Sequence, residues 1–525
     1  MVGLRCGAIS PAYRRLRQGR PGGEQPLASA YAERRESRRR DVPGEEPMAQ
    51  TAQLRRIETA DNEAQRIFKL QRQAYLRHPY PSLAERRENL SKLDRILVQN
   101  TDAIAEAINA DFGHRAMEES LMLELFTCVD GIRHTRRKLA KWMRPQRRHV
   151  SVLFATGSNR LVPQPKGVVG IVSPWNYPLF LTVSPLTSIL AAGNRAMIKM
   201  ASNSQHLCRL LAERFQAEFP EDTVAVLPGV PAQDFSTLPF DHLIFTGSAD
   251  AGRTVMRSAA ENLTPVTLEL GGKSPTIVCD DFDVEEAASR ILYAKFVNAG
   301  QTCLAPDYLF VPEGKRDAFV EAARRILPQR YPDTNARSYT SVIDEKSYRR
   351  LRATLEDARQ KGATVVPLVP GAAFNDTLRK IPPHLVLDPT DDMTILREEI
   401  FGPLLPVKTY RDLDEVIAYV NARDRPLGFY IFTNDAAREE KLLYGTISGG
   451  VTINNCMLHV AQHDLPFGGV GSSGIGQYHG WEGFTEFSKM RPVFKNPRLS
   501  LLHFFYPPYK PRHRRLVDLL IRFKR

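Results

Sequence analysis

An α/β protein made of two successive parallel-sheet blocks is what this sequence predicts, and three observations predict it. Short apolar runs alternate with helix-length stretches from Gly167 to Ala260, the βαβ rhythm of an open parallel sheet. A second alternation follows from Leu268 to about Gly450. With 525 residues, 42% hydrophobic and 25% charged, the chain can bury the cores of two or three domains.

The chain opens with a basic extension, residues 1–60. Its first 47 residues hold ten Arg against six acidic residues and little apolar periodicity, so disorder is the expectation. It has no apolar h-region, and its Glu content disfavours a transit peptide. Met48 begins an ordinary stretch, and what precedes it is expected to add nothing to the fold. Residues 510–525 are also strongly basic. The net charge of +13 is therefore carried by tails, which argues against a nucleic-acid groove. The six cysteines are scattered without a CxxC pair, as suits a reducing, cytoplasmic compartment and not a disulfide scaffold or zinc ribbon.

Residues 63–143 are helical by period, with Ile67 and Leu70, then Leu93, Ile96 and Leu97, then Ile104 and Ile108 on apolar faces. Residues 151–166 have an extended character with two prolines and read as a projecting β excursion. Residues 168–172 form a continuous apolar run suited to a strand buried on both faces. The helix 181–192, strand 195–199, helix 207–219, strands 224–227 and 241–246, and helix 249–260 complete the first block. Right-handed crossovers set the loops 173–177, 200–203 and 246–252 along one edge, where an α/β sheet binds its ligand. The second block contains helix 284–297, strand 308–311, helix 316–327 and strands 363–366 and 383–387. A glycine-rich region, 468–480, and a short strand near 486–487 follow. In 514–525, Leu516, Leu519, Leu520 and Phe523 share one helical face among Arg and Lys. Docking of that face on the body is the first expectation and weak contact with a membrane surface the second. No apolar run approaches the length of a membrane span, about 18 residues.

The chemistry is sought between residues 266 and 306. Glu269 ends a β-branched, leucine-rich run, and a buried Glu must be paired or able to take a proton. Cys303 follows the turn Asn298-Ala299-Gly300 and the polar Gln301-Thr302, where a structural cysteine would sit in an apolar segment. Alone, one Cys and one Glu leave a thiol hydrolase, an acyltransferase and a dehydrogenase open. FTGSADAG, with Gly247 and Gly252 leading into a helix, is a candidate pyrophosphate turn. The literal GxGxxG at 469–474 follows no clean strand and reads as a structural loop. His459 and His463 lack the HExxH glutamate, so no metal site is expected.

Five motifs settle these alternatives by resemblance. LELGGKSP around Glu269, NAGQTCLAPDY around Cys303, SPWNYP at 173–178, EEIFGP at 398–403 and LPFGGVGSSGIG at 465–476 resemble the aldehyde dehydrogenase superfamily, in the right order, over about residues 65–510. APDY and the tail FFYPPYKP are similar to its fatty and coniferyl aldehyde branch. The resemblance implies a Rossmann-type cofactor domain (61–150 and 166–268) and a second α/β catalytic domain (269–450). It also implies oligomerisation strands and active-site loops (151–165 and 451–500), a tail (501–525), a homodimer, and NAD or NADP as cofactor. Cys303 would attack the aldehyde, Asn176 and the Cys303 N–H would hold the oxyanion, and Glu269 would activate water. Lys199 and Glu399 would meet the cofactor riboses, Phe401 the nicotinamide end, and Trp175, Gly247 and Ser248 the adenosine and pyrophosphate. Ser202 stands where many NAD-specific relatives carry a Glu; Ser tolerates a 2′-phosphate and Lys199 pairs with it, so both cofactors are expected.

The expected reaction is oxidation of a hydrophobic aldehyde, aromatic (coniferyl-like) or medium-chain aliphatic, to the acid. A CoA-acylating enzyme is the first rival; Glu269 speaks against it, because transfer to CoA needs no water-activating base. A non-catalytic protein retaining the fold is the second, opposed by the intact set Cys303, Glu269, Asn176 and Glu399.

Overall fold

The computed structural model describes residues 48–151, 154, 156–497, 502 and 505–523. Residues 1–47, most of the extension expected to be disordered, lie outside the described residues. Residues 48–60 correct that expectation, since they begin the helix Met48–Arg77; the segment is rich in Ala, Gln, Glu, Leu and Arg and lacks Pro and Gly. The chain divides into two compact units, 1–55 and 56–525, the first described only through helical residues 48–55.

In the larger unit a six-stranded sheet has the order Gly474–Ile475, Val266–Glu269, His242–Thr246, Val168–Ser173, Arg195–Met200, Val224–Val226. All neighbours are parallel except the short Gly474–Ile475 strand. Val168–Ser173 is buried at every position because helices cover both faces. The chain starts in the middle of this sheet and winds first one way, then the other. A crevice therefore opens between the carboxyl ends of Val168–Ser173 and His242–Thr246, the switch point where such sheets bind ligands.

A seven-stranded sheet has the order Thr364–Pro367, His384–Leu387, Leu404–Tyr410, Tyr308–Pro312, Pro275–Val278, Gly428–Phe432, Gly450–Ile453. Only its first strand runs antiparallel to its neighbour. A third, antiparallel sheet joins Gln146–Arg148, Ser158–Pro165 and Ser488–Lys495. The strand expected at 486–487 is displaced: Glu486 ends the helix Gly480–Glu486, and the strand begins at Ser488. The helix Glu345–Gln360 escapes a periodicity reading because Arg and Glu crowd its narrow apolar stripe of Tyr348, Leu351, Leu355 and Ala358.

The apolar face expected to dock is only partly covered in the C-terminal helix Pro511–Phe523: Leu516 and Leu520 are half-buried, whereas Leu519 is 51% exposed. Among the described residues no helix is long and apolar enough to cross a membrane.

Candidate active site

The crevice at the switch point becomes a pocket of ≈ 720 Å³ whose lining includes Trp175, Asn176, Gly247, Ser248, Glu269, Cys303, Glu399 and Phe401. Eight of the eleven residues singled out from sequence therefore meet. Three do not line it. Lys199 and Ser202 lie at and just beyond the end of Arg195–Met200, the neighbouring strand. Gly252 is buried inside helix Ala249–Ala260, where a Cβ would stand 2.6 Å from Leu270 Cδ2; it serves helix–strand packing.

The turn before Cys303 is strained in one direction. Asn298, Ala299 and Gly300 have φ of 53°, 50° and 74°, and a left-handed non-glycine residue costs on the order of 1–3 kcal/mol. A Cβ at 300 would lie 2.3 Å from the Gly402 carbonyl oxygen, so only glycine passes. The strain is held by Asn298, whose Nδ2 donates to the carbonyls of Asn176 and Gln301, both at 3.1 Å. Asn176 Nδ2 donates to Gln301 O at 3.2 Å, which ties the two loops together beside the sulfur. The Cys303 thiol is pushed up to about 12, by burial first and then by the carboxylates of Glu399 and Glu269.

Glu269 ends its strand with its carboxylate buried and neither oxygen hydrogen-bonded. Burial, and next Glu486, hold its carboxyl well above the usual range. Ser473 O accepts from Leu270 N at 3.0 Å, and Gly474 pairs with Glu269. The GxGxxG stretch is thus a structural loop that closes the sheet edge beside this carboxylate.

Glu399 is pushed up to about 8, by burial and then by Asp307; its Oε1 accepts from Gly272 N at 3.3 Å. Lys273 pairs with Asp307 and donates to Glu398 O at 2.7 Å, while Asp307 Oδ1 accepts from Ile400 N at 2.9 Å. One part-buried ion pair thereby joins the LGGK, APDY and EEIFGP segments.

A second network lies outside the sequence reading. Arg115 is fully buried and donates to Asn176 O at 2.8 Å, while its guanidinium lies 3.4 Å from Glu124 and 3.8 Å from Glu119. Glu124 Oε2 accepts from Leu179 N and Phe180 N, at 2.8 and 3.1 Å, at the start of helix Phe180–Ala192. Glu119 accepts from Asn298 N at 3.1 Å. Burial pushes Glu124 up to about 7. Loss of the guanidinium would leave two buried carboxyls unpaired, a change that costs about 3–5 kcal/mol. The signal in sequence was a Glu inside the otherwise apolar LMLELF, a run the structure winds as a π-helical turn. Lys295, fully buried with no hydrogen-bond partner and pulled down to about 8 by burial, is a cationic side chain among the buried residues of helix Val284–Phe296.

The pocket also fits a dinucleotide. Ser248 caps the twelve-residue helix Ala249–Ala260, whose N-terminus favours phosphate. Ser248, Gly271 and Glu399 are shared with an adjoining cavity of ≈ 1270 Å³ bearing Arg253, Lys273 and Arg397. His463 and His459 are engaged with Asp130 and Thr452.

The description "Aldehyde dehydrogenase family" matches residues 34–493. The chain belongs to the aldehyde dehydrogenase family. Such enzymes oxidise an aldehyde to the acid with NAD or NADP. This aldehyde dehydrogenase is 47% identical, over 90% of its length and 98% of the relative's, to a "Probable coniferyl aldehyde dehydrogenase" of Pseudomonas aeruginosa. It is 46% identical to the coniferyl aldehyde dehydrogenase of a Pseudomonas species, over 77% and 85% of the two chains. Its fold matches a substrate-bound aldehyde dehydrogenase structure from Staphylococcus aureus with a TM-score of 0.82 at 33% identity, over 87% and 99%.

Proposed function

We propose that this aldehyde dehydrogenase oxidises an aromatic, coniferyl-type aldehyde, with Cys303 as nucleophile, Asn176 as oxyanion donor and Glu269 as base. The observation that carries the role assignment is that one pocket collects Cys303, Asn176 and an unpartnered, buried Glu269. The aromatic preference is supported by the relatives named above. A thiol pushed up to about 12 is neutral at rest, so its proton passes to solvent in the open pocket as the sulfur attacks the carbonyl carbon. The resulting thiohemiacetal oxyanion is held by the Asn176 side-chain amide and the Cys303 N–H. Bound NAD or NADP supplies the hydride acceptor. Glu269 then takes a proton from the water that opens the thioester, and the acid leaves as the Cys303 thiol is restored.

Ser202 is exposed and carries no charge against a 2′-phosphate, so both cofactors are used. A panel of aromatic and aliphatic aldehydes assayed with NAD and with NADP tests both statements. An NAD preference beyond about 10³, some ~4 kcal/mol, would overturn the cofactor reading. Activity confined to aliphatic aldehydes would overturn the substrate reading.

The enzyme works as a homodimer joined through the three-stranded sheet, whose edge strand Ser488–Lys495 presents a row of backbone groups to a second copy. Light scattering should return twice the chain mass of 59.2 kDa; a monomer at working concentration refutes it. The scattered cysteines suit a cytoplasmic location.

A further inference from the structure

A chain of hydrogen bonds crosses the strand that ends at Glu269. Lys166 Nζ lies 3.0 Å from His242 Nδ1, and His242 Nε2 lies 2.8 Å from Thr267 Oγ1. The Thr267 hydroxyl donates to Glu486 Oε1 at 2.6 Å. An ammonium only donates, so His242 Nδ1 is the acceptor and Nε2 carries the ring proton. Burial, and next Lys166, pull His242 down to about 3, which keeps the ring neutral, with one donor and one acceptor. Every link therefore points the same way, from Lys166 through His242 and Thr267 to the Glu486 carboxylate.

Both ends of the chain are held at the root of the three-stranded sheet. Lys166 follows the strand Ser158–Pro165, Glu486 precedes Ser488–Lys495, and Pro165 pairs with Ser488. The Glu486 side chain is 25% exposed, so without the Thr267 hydroxyl its carboxylate is free to turn toward water.

That anchor sets the carboxylate beside the base. Thr267 and Glu269 stand two apart on Val266–Glu269, so their side chains leave the same face of the sheet, about 7 Å apart. The adjoining strand agrees. Gly474 is the register partner of Glu269, and a Cβ at Gly476 would stand 2.7 Å from Glu486 Oε1 and 3.2 Å from Thr267 Oγ1. Cys303 and Glu399 share the pocket with Glu269, and the buried Tyr478 feels its charge. Lys489 adds a positive charge near Lys166. Of these groups, Glu486 is the one whose charge acts on the Glu269 carboxyl.

We propose that Glu486, held in place by Lys166, His242 and Thr267, is a positioning residue for the base: its negative charge strengthens Glu269 as the acceptor of a proton from the attacking water. The proposal rests on the reading of Glu269 as the base and adds what sets its strength.

The test is the pH dependence of steady-state turnover in the full-length enzyme, with the fastest aldehyde of the panel and saturating NAD. Losing a negative neighbour makes Glu269 easier to deprotonate. Glu486→Gln, whose amide oxygen still accepts from Thr267, should therefore move the midpoint of the climb down by about one pH unit. Glu486→Asp keeps the charge and should move it by less than about half as much. Thr267→Val matches threonine in shape but cannot donate; it releases the carboxylate and should also move the midpoint down. An unmoved midpoint in folded Glu486→Gln or folded Thr267→Val overturns the proposal, and either variant decides if the other fails to fold. Equal shifts in Glu486→Gln and Glu486→Asp overturn it too, because charge is then not the cause. A climb that persists in Glu269→Gln refutes the reading of Glu269 as the base, a result distinct from these.

Discussion

Glu269→Gln should release a burst of about one reduced cofactor per site and then turn over some 10²–10⁴-fold more slowly than the wild type. The amide matches the carboxylate in size and polarity, so the pocket is conserved and only the proton acceptor is lost. Sulfur attack and hydride loss precede the need for that acceptor; water attack does not, and the thioester accumulates. Rapid-mixing absorbance of the reduced nicotinamide separates the two phases. The pH dependence follows from the same residue. Its carboxyl is held above the ordinary range by burial, so the base form grows as pH rises through that raised value. Steady-state turnover of the wild type should therefore climb with pH over this range, and the climb should vanish in the variant. Unimpaired turnover in Glu269→Gln would move the role to Glu399, the other carboxyl lining the pocket.

Cys303→Ala should remove both phases, with a loss of at least about 10⁴-fold in kcat, because no covalent intermediate forms on a methyl group. Cofactor affinity should survive. The residues suited to the dinucleotide, Ser248, Gly271 and Glu399, lie on other segments, and the Ser248 cap belongs to a separate helix. Trp175 lines the same pocket, so quenching of tryptophan fluorescence by NAD and NADP reports binding in the inactive protein. A burst that persists in Cys303→Ala would show that sulfur is not the acceptor. Lost activity together with lost nucleotide quenching would instead mean that the left-handed turn 298–300 had collapsed.

Much of this architecture was legible in one dimension. The alternation between Gly167 and Ala260 is local, since apolar runs of strand length and amphipathic stretches of helix length are written within windows of about ten residues. The order of strands around Val168–Ser173 then follows from crossover handedness. Cys303 and Glu269 stood out because their immediate surroundings are wrong for the ordinary roles of a thiol and a carboxylate. Strand Ser488–Lys495 was misread by two residues, as it pairs with a partner more than 300 positions away and carries little local signal of its own.

Other features were decided only by the tertiary structure. Arg115 and Asp307 look unremarkable in sequence, because what distinguishes them is the surrounding density and the partners they find. Burial with or without a hydrogen bond is a property of contacts between segments 61 to 179 residues apart: Asn298 meets Glu119, Asp307 meets Ile400, and Arg115 meets Asn176. Lys199, Ser202 and Gly252 show the converse, residues placed by motif that lie at or behind the edge of the pocket. Sequence determined the two sheets and singled out Cys303 and Glu269, since each is encoded by neighbours along the chain. Folding decided how those groups are charged, held and screened, since electrostatics depends on distance through space and on the water that packing excludes.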